Sequence, residues 1–258
     1  MTGVVYFVVI VLANSLGAVS GMGGGVIIKP VFDFIGANSV VEVSFYSAVA
    51  VFVMSIVSTI GHLKNGFCLK WLVVLWVSLG ALIGGMVGDL VFSKIVAVTG
   101  QRNALLVQVI LTIITLLFAM LYTRFNWQSF NLEGFFWYLL CGITLGFFAS
   151  LLGIGGGPIN VALLMWMFGI KIKDATVYSI CTIFFSQLSK ILTIAFTTGF
   201  AKYDTSMLMY IIPAAIVGGL VGSRLSKVLS AEKVVIVFQL MILTVILINV
   251  YNGIEVLI

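Results

Sequence analysis

Ten apolar stretches follow one another along the chain, with only short polar interruptions between them. In the first half they are Val4–Val19, Gly24–Ile35, Val40–Ile60, Trp71–Phe92 and Ala104–Leu121. The second half continues with Phe135–Leu152, Gly156–Phe168, Ala175–Phe196, Met207–Val221 and Val234–Val250. The interruptions His62–Lys70, Thr99–Asn103, Arg124–Glu133, Gly199–Thr205 and Arg224–Lys233 collect Lys, Arg, Asn, Asp and Gly. A helix needs about 20 apolar residues to cross the hydrocarbon core. Inside lipid it must also satisfy its own backbone polar groups. The pattern therefore predicts an all-α polytopic membrane protein with about 8–10 hydrophobic segments. The second and seventh stretches are short for a full crossing. Each suits a tilted short span, half of a broken helix, or an arm of a re-entrant hairpin. Irregular backbone at that depth is tolerated only when buried in protein or lining a wet cavity.

Both short stretches follow a glycine run, Gly21-Met22-Gly23-Gly24-Gly25 and Gly153-Ile154-Gly155-Gly156-Gly157, set 132 positions apart. The same offset matches Ile27 with Ile159, Tyr46 with Tyr178, Ser47 with Ser179 and Phe52 with Phe184. A further pattern, Gly84-Gly85-x-x-Gly88, returns as Gly218-Gly219-x-x-Gly222 at an offset of 134. The chain thus reads as one membrane domain, 1–258, built from two homologous halves of approximately 1–125 and 133–258, with the polar Arg124–Glu133 stretch as linker. Repeated halves that each carry a Gly-broken hydrophobic segment are a pointer to a transport site at the repeat interface.

Composition agrees: 62% of residues are hydrophobic and 8% charged, against about 25% charged in soluble domains. Of the thirteen Lys and Arg, Lys64, Lys70, Arg124, Lys171, Lys173, Arg224, Lys227 and Lys233 fall on one face if all ten segments cross. Lys94, Arg102 and Lys202 fall on the other, and Lys29 and Lys190 lie in or beside apolar stretches. The eight-cation face is expected to be cytoplasmic, with both termini outside. Five crossings per half make the repeats inverted, whereas two re-entrant segments leave four per half and parallel repeats; inversion is the favoured expectation. Scattered loop cations do not suggest nucleic acid. The first charged residue is Lys29, so the leading apolar stretch has no basic flank and reads as the first span. The single His62 and the unclustered Cys68, Cys141 and Cys181 suggest neither a metal site nor a cofactor. No Gly-x-Ser-x-Gly nucleophile or phosphate-binding loop occurs, so an enzyme is not expected.

The candidate site starts from the glycine runs. Consecutive glycines expose backbone N–H groups, and a helix beginning just after them offers orphan donors and a positive dipole end to an anion. Gly23, Gly24, Gly25, Gly155, Gly156 and Gly157 are the candidates, though glycines also serve close helix packing. Lys29, one turn beyond Gly25, and Lys190, within Ser186-Gln187-Leu188-Ser189-Lys190, can add positive charge or snorkel to a headgroup. Ser47 and its counterpart Ser179 offer hydroxyls beside Tyr46 and Tyr178; Asn160 lies three positions beyond Gly157. Such groups equally well bond between helices. Asp89, set in an apolar stretch, is a candidate for proton coupling or plain helix-end solvation.

With Pro30 and Pro158, the two glycine runs resemble the paired signatures of the TauE/SafE family of sulfite and organosulfonate exporters. The resemblance covers nearly the whole chain; the second copy departs in that Pro158 follows its glycines directly. It implies a multi-pass carrier of the inner or plasma membrane for sulfur oxyanions or sulfonates. The expectation is a secondary transporter exporting such an anion by alternating access, embedded in the bilayer and possible as a homo-oligomer. A passive anion channel, or an uptake carrier for another small anion, fits the same scaffold.

Overall fold

The computed structural model describes residues 2–67, 70–125, 127–152, 157–197 and 199–257, with backbone only at 33, 40, 89, 93, 101, 197, 252 and 255–257. Its helices are α1 (Thr2–Ser20), α2 (Gly25–Ile35), α3 (Val40–Lys64), α4 (Trp71–Phe125), α5 (Phe135–Leu152), α6 (Gly157–Phe168), α7 (Ile172–Thr197), α8 (Leu208–Val228) and α9 (Ala231–Leu257). Two single 3-10 turns, Phe200–Lys202 and Thr205–Met207, precede α8, and no strand occurs among the described residues. α4 is two arms, Trp71–Gly100 and Arg102–Phe125, joined at Gly100, whose φ of 80° and ψ of 163° break the helix. With the arms counted separately, eight helices among the described residues are long and apolar enough to cross a membrane. The chain is a multi-pass, all-α membrane protein.

Several helices outlast their apolar stretches. α3 runs on through His62 to Lys64, and α8 through Lys227 to Val228, so their last turns carry cations that suit the negative end of the dipole. The expected loops at Thr99–Asn103 and Arg224–Lys233 shrink accordingly to short breaks around Gly100 and between α8 and α9.

The first glycine run makes a chain reversal inside the protein. Gly21 and Gly23 take φ of 73° and 71°, open to glycine without strain. The N–H groups of Met22 and Gly23 both close back on Gly17 O, at 3.1 and 3.3 Å. The chain then returns along α1: Gly24 packs on Asn14, and Phe32 stacks on Tyr6 with ring centroids 3.7 Å apart. At 11 residues, α2 covers about 16 Å, half the thickness of the hydrocarbon core. α1 and α2 are therefore a hairpin whose bend lies deep in the membrane domain. In the second half, α6 ends against the linker, with Phe130 N–H donating to Trp166 O and Leu132 N–H to Met167 O. That contact brings the end of α6 beside the start of α5, which makes a second hairpin.

Each hairpin packs on the other half. Along α1, Gly3 meets Tyr210, Asn14 meets Gly218 and Ala18 meets Gly222, so α1 and α8 run parallel. Along α5, Gly142 meets Val77 and Gly146 meets Ala81, so α5 runs parallel to the first arm of α4. Small residues let these backbones touch, which is how helices associate where lipid supplies no hydrophobic drive. α3 and α7 cross antiparallel at the centre: Ser44 meets Lys190, Phe52 stacks on Phe184 at 5.3 Å, and Thr59 meets Cys181. Outside, side chains such as Val8, Leu79, Ile114 and Leu247 stand exposed, as a lipid-facing surface requires.

Candidate functional site

A cavity of about 790 Å³ lies between α2, α3, α7, the end of α5 and both arms of α4. Its deep end is formed by Met22, Gly25, Val51, Gly85, Ala149 and Ile183. From there it extends between the first half of α3 and the second half of α7, towards the end of the bundle where the arms of α4 meet. Polar groups line that path: Lys29, Ser44, Ser47, Gln108, Ser150, Ser186, Gln187, Ser189, Lys190 and Thr193. No carboxylate occurs among the described lining residues. The two lining ammonium groups contribute positive charge that the apolar walls focus.

The elements place these groups by simple periodicity. Ser44 and Ser47 are three apart on α3, and Ser186, Gln187, Lys190 and Thr193 share one face of α7. Lys190 Nζ donates to Ser44 Oγ at 2.9 Å, tying the two helices across the cavity. Gln108 Nε2 donates to Leu151 O at 3.0 Å. Gln187 is 7% exposed and lines the same space. At the deep end, α2 begins with its N-terminus at Gly25, and the first N–H groups of a helix have no partner within it. A positive dipole end, two cations and a set of hydroxyl and amide donors thus converge on one space, a chemistry suited to an oxyanion.

Of the residues singled out from the sequence, Gly25, Lys29, Ser47 and Lys190 are brought together here. Gly23 sits behind Val51 and Ile183, and Gly24 is wedged against the Asn14 carboxamide; they shape the bend and do not line the space. Gly157, the first residue of α6, packs on Met22 O, so the start of α6 meets the first glycine run. Asn160 is buried with no partner for Oδ1 among the described residues. Ser179, the counterpart of Ser47, is buried and donates to Gly21 O at 2.5 Å. Gly155 and Gly156 lie outside the described residues, as does the side chain of Asp89. Ser44, Gln108, Ser150, Ser189 and Thr193 were not singled out. The three-and-four spacing of Ser186, Ser189, Lys190 and Thr193 was the available signal for the α7 members; Gln108 is a lone polar residue whose direction the sequence does not give.

At the opposite end the same helices are shut. Lys70 N–H donates to Tyr178 OH at 3.1 Å, Phe67 packs edge-on to Tyr178, and Thr59 meets Cys181 at 3.7 Å. Ser55, Ser58, His62, Thr176 and Ser179 are all buried there. Tyr46 OH in turn donates to Asp204 O at 2.9 Å at the open end. Both tyrosines are therefore ties between the halves.

Comparison with known proteins agrees with this architecture. The chain is 32% identical over 94 residues to the protein described as "Probable membrane transporter protein MamO" of Paramagnetospirillum magneticum (strain ATCC 700264 / AMB-1), and equally so to its namesake in Magnetospirillum gryphiswaldense. The match takes in 34% of this chain and 15% of each of those relatives' own length. No solved structure matches. The sequence profile described as "Sulfite exporter TauE/SafE" matches residues 6–249, nearly the full length, and the chain belongs to this family of membrane transporters.

Proposed function

We propose that this transporter is a secondary carrier that exports a small sulfur oxyanion, sulfite or an organosulfonate, across the cell membrane by alternating access. The observation that carries the reading is a cavity that bears Lys29 and Lys190, has no carboxylate among its described lining residues, and is open at one end of the bundle and shut at the other. The shut end carries Lys64, Lys70, Lys171, Lys173, Arg224 and Lys227 and is the cytoplasmic one by the positive-inside bias. The cavity then faces outward. Lys29, Ser47, Lys190 and the start of α2 hold the anion, and Gln187 and Gln108 supply further donors.

Inverted symmetry of the halves supports alternating access. Phe52 and Phe184 are repeat counterparts, and they stack on one another, as counterparts do where a twofold axis passes between them. The ties Tyr46 to Asp204 and Tyr178 to Lys70 are likewise counterparts at opposite ends. Relative motion of the halves about that axis exchanges the open end for the shut one. Direction and cargo class are those of the family, and nothing in the mechanism calls for catalysis.

The test is thermal stabilisation of purified protein by sulfite, sulfoacetate, taurine, sulfate and chloride. A ligand at about 100 times its Kd stabilises by about 2.7 kcal/mol. A shift confined to sulfite or the sulfonates, lost in Lys29→Gln, is the expected result. Equal shifts with chloride, or none with any sulfur anion, overturn the assignment.

A further inference from the structure

Ser58 and His62 are polar groups at the shut end that packing does not account for. Both are buried on α3, four residues apart and so on one face. Ser58 Oγ and His62 Nε2 have no hydrogen-bond partner among the described residues. Burying such groups unmet is unfavourable, which a carrier tolerates if they meet water or a ligand in its other state.

The repeat register says which state that is. At the 132-residue offset, Ser58 is the counterpart of Lys190 and His62 of Ile194, and both of those line the open cavity. Ser55 corresponds to Gln187, and Ser179 to Ser47, again cavity residues. The shut end therefore holds, in closed form, the same helix faces that the open end displays.

We propose that Ser58 and His62 line a second, cytoplasm-facing vestibule, formed when the outer cavity closes, where a small oxyanion meets hydroxyl and imidazole donors. This rests on the alternating-access reading above. The two vestibules differ chemically. The counterparts of Lys29 and Lys190 are Val161 and Ser58, so the inner space offers neutral donors where the outer one offers two ammonium groups.

Single-cysteine proteins test it, with Cys68, Cys141 and Cys181 replaced by alanine and a membrane-impermeant maleimide applied to oriented vesicles. Ser58→Cys is expected to label from the cytoplasmic face alone and Lys190→Cys from the outer face alone. With an inward state populated at up to about 10%, Ser58→Cys labels about tenfold more slowly than Lys190→Cys, yet to completion. A silent Ser58→Cys beside a labelled Lys190→Cys overturns the vestibule, as does equal labelling of Ser58→Cys from both faces. If the cysteine-free background does not fold, the unmodified chain offers its single histidine. Diethylpyrocarbonate is expected to modify His62 in the folded protein, read by peptide mass, and complete protection overturns the proposal. Labelling as expected without sulfite flux removes the cargo assignment alone; sulfite flux with Ser58→Cys silent removes the vestibule alone.

Discussion

Ser47 and Ser179 match one another at the 132-residue offset in the sequence, and they do different work. Ser47 lines the cavity, while Ser179 is fully buried and spends its proton on Gly21 O. Ser179→Ala should therefore lower Tm, by about 1 kcal/mol in stability, whereas Ser47→Ala should leave Tm unchanged and weaken stabilisation by sulfite. A thermal-shift titration of both variants separates the two roles. Gly24 gives a sharper steric case. Any Cβ there runs into the Asn14 side chain, so Gly24→Ala should cost about 1–3 kcal/mol as overpacking. Asn14→Ser, which shortens the clashing group, should recover part of the lost Tm.

At the scale of elements, the hairpins hold the site and glycine-lined contacts hold the hairpins. α1 lies on α8 of the other half, and Gly218 meets Asn14 where a Cβ would come within 2.7 Å of its Cβ. Gly218→Leu should force α1 and α8 apart, and size-exclusion chromatography should show loss of the monodisperse peak. Gly36→Ala should not do so, because no atom lies within 4 Å of a Cβ there, although its φ of 65° adds local strain. The pattern Gly84-Gly85-x-x-Gly88 and its counterpart were read in the sequence as a repeat match, and the structure shows both as close-packing faces. Their partners were not. A small-residue face says that another helix approaches, and nothing in its own residues says that the helix belongs to the opposite half.

For the whole molecule, one consequence of the proposed export is electrical. An inside-negative potential of 100 mV drives each elementary negative charge outward by about 2.3 kcal/mol. Sulfite efflux from vesicles with an imposed potential should accelerate as the inside becomes more negative, without added nucleotide. A flux indifferent to potential would point to an electroneutral exchange or a charge-compensating ion. Hydrophobic length was enough to indicate the multi-pass membrane class, and the first glycine run marked the chain reversal between α1 and α2. Those are one-dimensional properties, because lipid demands long apolar helices and a tight reversal favours glycine. Which polar groups face water, and at which end, was decided only in three dimensions. Lys29 and Lys190, 161 positions apart, share a cavity, while the repeat-matched Ser47 and Ser179 do not. The physical reason is that matched sequence positions meet different neighbours once the two parts of the chain pack on one another. Packing of one half against the other selects the end that admits water, and a symmetric sequence pattern carries no record of that choice.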